Sequence, residues 1–184
     1  MSEPDIVVFV EEPSAYEIAR AVVRKLGLLD RVTILKHRGA GDLERSFAGK
    51  IANDPHPSSK FLILRDADNR DCNALKRELW ERIARGKRGR SVIRIACQEL
   101  ESWYLAQPAA LAAAGALASE IPKRRLSGNV DAIADPKRIF LRHACIRGQI
   151  EHARRIGPCL DIDSKRSASF KHFVAGLRRL AAMP

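Results

Sequence analysis

The sequence has no hydrophobic run long enough to cross a bilayer. Its longest apolar stretches are Ile6–Val10 and the alanine-rich segment 109–118, which Gly115 interrupts. A membrane-spanning helix needs about 20 apolar residues. The first residues are polar and acidic, without the basic and apolar regions of a secretory signal. We therefore expect a cytoplasmic protein that has no membrane partner.

Cysteine is also scarce. The chain has four cysteines and no Cys-x-x-Cys pair, so the sequence predicts neither a zinc site nor a disulfide framework. We expect these cysteines to pack as small apolar side chains. The Gly-x-x-x-x-Gly-Lys-Ser/Thr sequence of a nucleotide-binding P-loop is missing as well.

The chain does have a large excess of basic residues. Its 184 residues include 33 Lys and Arg against 22 Asp and Glu, a net charge of +11. Residues 1–70 are balanced, so the excess lies in the rest of the chain, mainly in segments 76–94, 123–155 and 165–179. Clustered cations favour phosphate backbones through counterion release, which predicts a polyanion-binding surface. The alternative is a set of solvated helix faces with i,i+4 ion pairs, such as Glu78 with Arg82.

Strand and helix patterns alternate along the first half of the chain. Apolar, β-branched runs predict four strands, at 6–10, 32–35, 61–64 and 91–97. Helical spacing follows each of the first three strands, with a Ser14-x-x-Glu17 capping box before the first helix and Asp42 as the cap of the second. This alternation predicts an α/β fold with a four-stranded, mainly parallel sheet flanked by helices.

No convincing strand follows Leu100. We predict a helix that breaks at Pro108, a helix over 137–156, and a last helix capped by Ser167 or Ser169. We therefore expect residues 1–184 to form a single domain, in which 1–106 are the α/β core and 107–184 a C-terminal helical extension.

Carboxylates follow three of the predicted strands. In open α/β sheets, ligands bind beyond the carboxyl ends of the strands. Acidic side chains gathered there repel one another unless a cation lies between them, and hard oxygen ligands suit Mg²⁺ or Mn²⁺. Taken alone, an Asp-x-Asp pair is better explained by an Asx-type turn before a helix. The acidic residues are Glu11 and Glu12 after the first strand, Asp66 and Asp68 after the third, and Glu99 and Glu101 after the fourth.

The combination of a Glu after the first strand and Asp-x-Asp after the third resembles the Toprim domain of topoisomerases, primases and overcoming-lysogenization-defect (OLD) nucleases. Over nearly the whole chain, the sequence is similar to the Toprim-like family called domain of unknown function 4276. Two positions differ from the family pattern: Glu12 stands where Gly is common, and Gln107 where Asp is common. The segments that carry the likeness are 9–14, 41–43, 64–68, 98–106 and 167–170.

The resemblance implies a metal site and roles for its ligands. Asp66 and Asp68 would hold Mg²⁺ or Mn²⁺, and Glu11 would bind the metal or act as general acid/base. Glu99 and Glu101 would bind a second metal, although capping a helix N-terminus is an equally good role for one of them. The candidate nucleic-acid-binding residues are Lys123, Arg124, Arg125, Lys165 and Arg166.

These features give a leading function and two alternatives. The leading prediction is a metal-dependent nucleic-acid phosphodiesterase, a nuclease or nickase, in a defence or DNA-processing system. Resemblance to OLD nucleases also implies a separate ATPase subunit as partner. The first alternative is a non-catalytic Toprim-like module that binds nucleic acid or an ATPase. The second, a haloacid-dehalogenase-type phosphohydrolase, is disfavoured because its Asp-x-Asp would follow the first strand, where this chain has Glu11.

Overall fold

A four-stranded parallel sheet forms the centre of the protein in the computed structural model, which describes residues 4–184. The strand order is β2-β1-β3-β4, so β1 pairs with both β2 and β3, and β4 lies at an edge. The predicted α/β fold with a parallel sheet is confirmed. The strands are β1 (Ile6–Val10), β2 (Val32–Lys36), β3 (Lys60–Asp66) and β4 (Ser91–Ala96).

Eight α-helices connect and cover the strands in this part of the chain. Three of them lie between strands, and the other five follow β4. Short 3₁₀ turns occur at 85–90, 123–125, 130–132 and 157–159. The helices are α1 (Pro13–Lys25), α2 (Ala40–Ala52), α3 (Cys72–Arg82), α4 (Glu101–Leu105), α5 (Pro108–Ala113), α6 (Pro136–His143), α7 (Gln149–Ile156) and α8 (Ala168–Ala181).

Helices cover both faces of the sheet, which explains why its strands are almost continuously apolar. On one face, Phe9, Phe61 and Ile63 pack against α2 and α3. On the other, Val8 and Leu62 pack in a larger core with α1, α8 and the other helices that follow β4. No helix of residues 4–184 has both the length and the apolar character that crossing a bilayer requires.

The first two helices start differently from the prediction. α1 begins at Pro13, a residue whose fixed φ suits the first helical position. Ser14 is therefore already inside the helix, and its hydroxyl donates to Glu12 instead of forming a capping box. α2 begins at Ala40 after Gly39, and Asp42, in its first turn, accepts from the backbone N–H of Arg38. Both predicted caps were wrong by two or three positions.

The predicted helix over 137–156 is in fact two helices, α6 and α7. The backbone between them pairs with an earlier segment: Ala118 N donates to His143 O and Cys145 N to Ala116 O. Gly148, with a φ of 98°, then redirects the chain into α7. The last helix agrees with its prediction, because the Ser167 side chain caps α8 by accepting from Phe170 N.

Candidate active site

Glu11 leaves β1 at the carboxyl edge of the sheet and points toward β3. Its backbone carbonyl accepts from Gly39 N at 2.9 Å, so pairing with the segment after β2 continues beyond the strand ends. Its carboxylate accepts from Asp66 N at 3.3 Å. Glu12, where the family pattern commonly has Gly, has a φ of −145°. This is ordinary extended backbone, so the loop does not require glycine there.

The Asp-x-Asp segment is held by the end of β4. Ala67 N donates to Ala96 O and Asp68 N to Gln98 O, both at 2.9 Å. Asp68 and Gln98 have φ values of 48° and 62°, in the left-handed region that non-glycine residues seldom adopt. The cap of α3 is supplied by Asp71, which accepts from Ala74 N. The carboxylates of Asp66 and Asp68 are therefore not used by that turn.

A buried arginine, which the sequence reasoning missed, joins these carboxylates. Arg65, in β3, has only 5% of its side chain exposed. Its Nη1 lies 3.0 Å from Glu11 Oε2 and 2.6 Å from Asp68 Oδ2, and its Nε lies 3.2 Å from Glu44 Oε1. The available signal was an arginine in an apolar strand, directly before two acidic residues. Because buried cations need partners, that arginine indicates an acidic site nearby.

The acidic groups at this edge raise one another's proton affinity. Burial raises the pKa of Asp66 well above its usual range, and the charges of Glu11, Glu101 and Asp68 add to that shift. Burial also raises the pKa of Glu11, although the charge of Arg65 opposes the change. The single guanidinium of Arg65 therefore does not neutralise the combined negative charge of these carboxylates.

Glu99 and Glu101 have different surroundings. Glu99 Oε2 accepts from Lys137 N at 3.1 Å, in the first turn of α6, so its contact is with a different helix from α4, which has no side-chain cap. Glu101 is the first residue of α4 and is buried. Burial raises the pKa of Glu101 to about 7, with Lys137 opposing the shift and Glu99 and Glu12 adding to it. Glu101 thus belongs electrostatically to the cluster around Asp66.

These carboxylates fit a hard divalent cation in their chemistry. They offer only oxygen donors, and their pKa values are raised first by burial and then by the neighbouring negative charges, which a cation would neutralise. Within residues 4–184, no three Asp, Glu, His or Cys side chains already converge as a ligand set. Arg65 occupies the space between Glu11 and Asp68, whose side chain is 48% exposed. Binding a metal would therefore require Asp68 to turn away from Arg65.

The raised pKa of Glu101 predicts a dependence of stability on pH. The unfolded chain releases this proton near pH 4.5, but the native protein keeps it until about pH 7. The native state binds more protons in that window, so stability should fall as pH rises through it. Without metal, Glu101→Gln should therefore gain roughly 2–3 kcal/mol relative to wild type between pH 5 and pH 8.

Thermal unfolding of both proteins in chelator at the two pH values measures this difference. Glu120→Gln, at an exposed position, is the matched control and should follow wild type. An equal response of wild type and Glu101→Gln would contradict the raised pKa of Glu101.

The predicted nucleic-acid-binding residues form a separate group. Lys123, Arg124 and Arg125 make an exposed 3₁₀ turn, and Lys165 and Arg166 are exposed just before α8. Arg166 Nη2 donates to Leu126 O at 2.6 Å, which brings the two segments together. In the described part of the chain, none of the five forms a hydrogen bond or ion pair with the carboxylates at the sheet edge.

A buried polar network fixes α4 against α8. Asp131 accepts from the hydroxyls of Ser167 and Ser169 at 2.7 and 3.0 Å, and Trp103 Nε1 donates to Ser169 Oγ at 2.8 Å. Trp103 also packs on Phe170 and Phe173. The network links the Glu-x-Glu-x-Trp segment to the Ser-x-Ser segment and holds Glu101 at the sheet edge. The sequence reasoning missed Asp131, although two serines before an apolar helix indicate a polar partner.

Two cysteines meet beside the site. Cys72 opens α3 and Cys97 follows β4, and their sulfur atoms lie 3.1 Å apart as free thiols. Burial and the neighbouring Cys72 raise the pKa of the Cys97 thiol to about 12. Cys97 is therefore a protonated, weakly nucleophilic side chain at neutral pH.

Comparison with known proteins supports the fold independently. The C-terminal region of the Burkholderia pseudomallei OLD protein is similar, with a TM-score of 0.60 and 15% identity over 97% of this chain and 99% of that one. The C-terminal region of the Xanthomonas campestris pv. campestris OLD protein, in a structure phased with iodine, has a TM-score of 0.55 and 16% identity over 98% of each chain. No curated protein matches the chain.

Identity this low concerns the fold alone, which is Toprim-like as predicted. The family follows from the sequence match instead. Residues 7–178 match the family described as domain of unknown function (DUF4276). This range includes every carboxylate of the candidate site and the whole sheet except Ile6. The chain therefore belongs to the DUF4276 family.

Proposed function

We propose that the protein is a Mg²⁺- or Mn²⁺-dependent nucleic-acid phosphodiesterase, a nuclease or nickase. The observation that carries the proposal is the electrostatic cluster of Glu11, Asp66, Asp68 and Glu101 at the carboxyl edge of the sheet. The similarity to OLD C-terminal regions supports it. A bound divalent cation would neutralise phosphate oxygens and lower the pKa of a water molecule.

The protein's own residues would divide the remaining work. Asp66, at the centre of the cluster, and Asp68 would hold the metal. Burial raises the pKa of Glu11, a direction that suits a general acid/base that exchanges a proton with the attacking or leaving oxygen. Arg65 would orient Glu11 through the contact at 3.0 Å. Glu101 would add charge for the same metal or, with Glu99, bind a second one.

The basic group formed by Lys123, Arg124, Arg125, Lys165 and Arg166 would contact phosphates beyond the site. Its exposed cations suit such binding, and Arg166 links its two segments. The resemblance to OLD nucleases further suggests a separate ATPase subunit as a partner and a role in defence or DNA processing. Both belong to the proposal.

Incubation with supercoiled plasmid and with RNA tests this function. We expect cleavage in Mn²⁺ or Mg²⁺ and complete loss of cleavage in excess EDTA, with recovery when metal is restored. A parallel reaction with Ca²⁺ tests whether the metal must support chemistry as well as binding. Cleavage that continues undiminished in EDTA would contradict a metal-dependent site.

One observation favours a second candidate, a non-catalytic module that binds nucleic acid or an ATPase. Arg65 already pairs with Glu11 and Asp68. These pairs are expected if the carboxylates have a structural role and hold the buried guanidinium in place. Under this alternative, in which the carboxylates serve the structure or hold a regulatory metal, metal would not support cleavage. Salt-sensitive nucleic-acid binding without cleavage would favour the module.

A further inference from the structure

A basic pocket lies along β4, and none of the carboxylates of the candidate site lines it. β4 ends the strand order, so its outer edge pairs with no other strand of the described residues. The pocket has a volume of about 580 Å³ and reaches residues 91–94, the first part of the strand. It lies between α3 and α8, and we call it the β4-edge pocket. It is lined by Asn73, Lys76, Arg77, Trp80, Arg94 and Arg179, together with residues 91–93.

The lining of the β4-edge pocket carries charge of one sign. Lys76, Arg77, Arg94 and Arg179 contribute four cations, and no acidic residue lines the pocket. Its α3 residues stand at positions 73, 76, 77 and 80. This spacing places them on one face of the helix, so the face is a continuous polar and aromatic surface.

Other arginines at the ends of α3 are neutralised, in contrast to those in the pocket. Arg70 and Arg82 both pair with Glu78 at 2.5 Å. Among residues 4–184, none of the four pocket cations forms an ion pair with a carboxylate. The i,i+4 pairing that explains ordinary basic helix faces therefore does not explain this one.

Arg94 is held in place in the pocket by backbone groups. Its Nε donates to His172 O at 2.6 Å and its Nη1 to Ile93 O at 3.0 Å. A Cβ at Gly176 would lie only 3.0 Å from this Nε, so α8 packs directly on the guanidinium. Burial and the charge of Arg179 lower the pKa of Arg94. A fixed cation close to another cation is suited to binding an anion between them.

We propose that the β4-edge pocket binds the phosphate backbone of single-stranded nucleic acid, with one base stacked on Trp80. Proteins that bind single-stranded nucleic acid combine cations, which contact the phosphates, with aromatic side chains, on which bases stack. The β4-edge pocket has both. Cations on an edge strand also discourage pairing with other strands. Protection of the edge strand accounts for Arg94 but not for Lys76, Arg77 and Arg179, which belong to helices. The inference deepens the proposed function, on which it rests for the choice of nucleic acid over other polyanions.

Fluorescence anisotropy with a labelled single-stranded DNA, measured in EDTA over a range of NaCl concentrations, tests this pocket. Lys76→Gln/Arg77→Gln should weaken binding by on the order of 10-fold at low salt and reduce the salt slope by about 1.4, since two phosphate contacts are lost. Arg20→Gln/Arg24→Gln removes two exposed charges from α1 and is the matched control. It should change binding by less than about twofold. Equal weakening by both pairs would overturn the proposal.

Intrinsic fluorescence provides a second readout. The chain has two tryptophans, and Trp103 is fully buried, so quenching by added DNA should come from Trp80 and vanish in Trp80→Phe. Quenching that persists in Trp80→Phe would overturn the stacking arrangement. Displacement of the DNA by poly-L-glutamate at equal charge would identify an acidic protein as the better occupant and would also overturn the proposal.

Binding in EDTA and cleavage in Mn²⁺ separate this proposal from the proposed function. If the Lys76→Gln/Arg77→Gln variant binds DNA as tightly as the wild type, and the wild type cleaves in the presence of metal, only the pocket proposal is overturned. Loss of binding in that variant, with no cleavage by wild type, would support the pocket and count against the nuclease.

Discussion

Replacing Arg65 with Met should lower the free energy of unfolding by about 3–5 kcal/mol at neutral pH. The guanidinium is buried and lies within 3.2 Å of carboxylate oxygens from Glu11, Asp68 and Glu44. Methionine keeps much of the apolar volume but leaves Glu11 and Asp68 without their ion-pair partner, whereas Glu44 still has Arg70 and Arg82 within 4.0 Å. Because removing one partner leaves a buried charge unpaired, the loss of stability should exceed the loss expected for a surface ion pair. Urea unfolding at pH 7 measures it.

Arg70→Met is the matched control for Arg65. Arg70 also approaches Glu44 and pairs with Glu78, but 44% of its side chain is exposed. Its replacement should cost no more than about 1 kcal/mol. Because the pKa of Glu11 is raised, acidification neutralises this carboxylate sooner than an ordinary glutamate, so the cost of Arg65→Met should be smaller at pH 4 than at pH 7. Equal costs for the two variants at pH 7 would contradict the role given to Arg65.

Replacing Asp66 with Asn should reduce metal-dependent cleavage by on the order of 100-fold or more. Asparagine keeps the size of the side chain and an oxygen acceptor near Leu100 N, but it removes the charge at the centre of the cluster. Since burial, and after it the charges of Glu11, Glu101 and Asp68, disfavour the ionised form of Asp66, the variant should unfold at an equal or higher temperature than wild type. Cleavage and thermal unfolding measured on one preparation give both results.

Asp30→Asn is the control for Asp66→Asn. Asp30 is exposed and precedes β2, at the amino edge of the sheet, so its replacement should leave cleavage unchanged. Full activity of a folded Asp66→Asn protein would exclude the carboxyl edge as the catalytic site. Loss of both activity and folding would conflict with the repulsion inferred at Asp66.

The sheet was predictable because its strands are covered on both faces. Runs such as Ile6–Val10 are continuously apolar and β-branched, and the helical spacing between them requires parallel connections. The positions of Glu11 and Asp66 followed from this topology, since parallel strands end at one edge. In contrast, β3 extends beyond the predicted end at residue 64 and includes Arg65 and Asp66. A charged residue looks like the end of a strand unless its distant partners are known.

The helical extension was harder to predict because long-range contacts determine it. Helical periodicity continues over 137–156, yet pairing of 144–145 with 116–117 interrupts it. Asp131 lies in an irregular segment, and its partners Ser167 and Ser169 are more than 30 residues away. Local propensity contains no information on such pairs. The Ser167 cap was predictable because its partner, Phe170, is three residues away.

The central claim is that the carboxylates at the edge of the sheet bind a divalent metal ion. Anomalous diffraction from crystals soaked in Mn²⁺ tests it most directly. We predict an anomalous peak bonded to Asp66 and to at least one of Glu11 and Asp68, with Asp68 turned away from Arg65, and no such peak in Asp66→Asn crystals. Absence of a peak at saturating Mn²⁺, with Arg65 still between Glu11 and Asp68, would contradict the metal site.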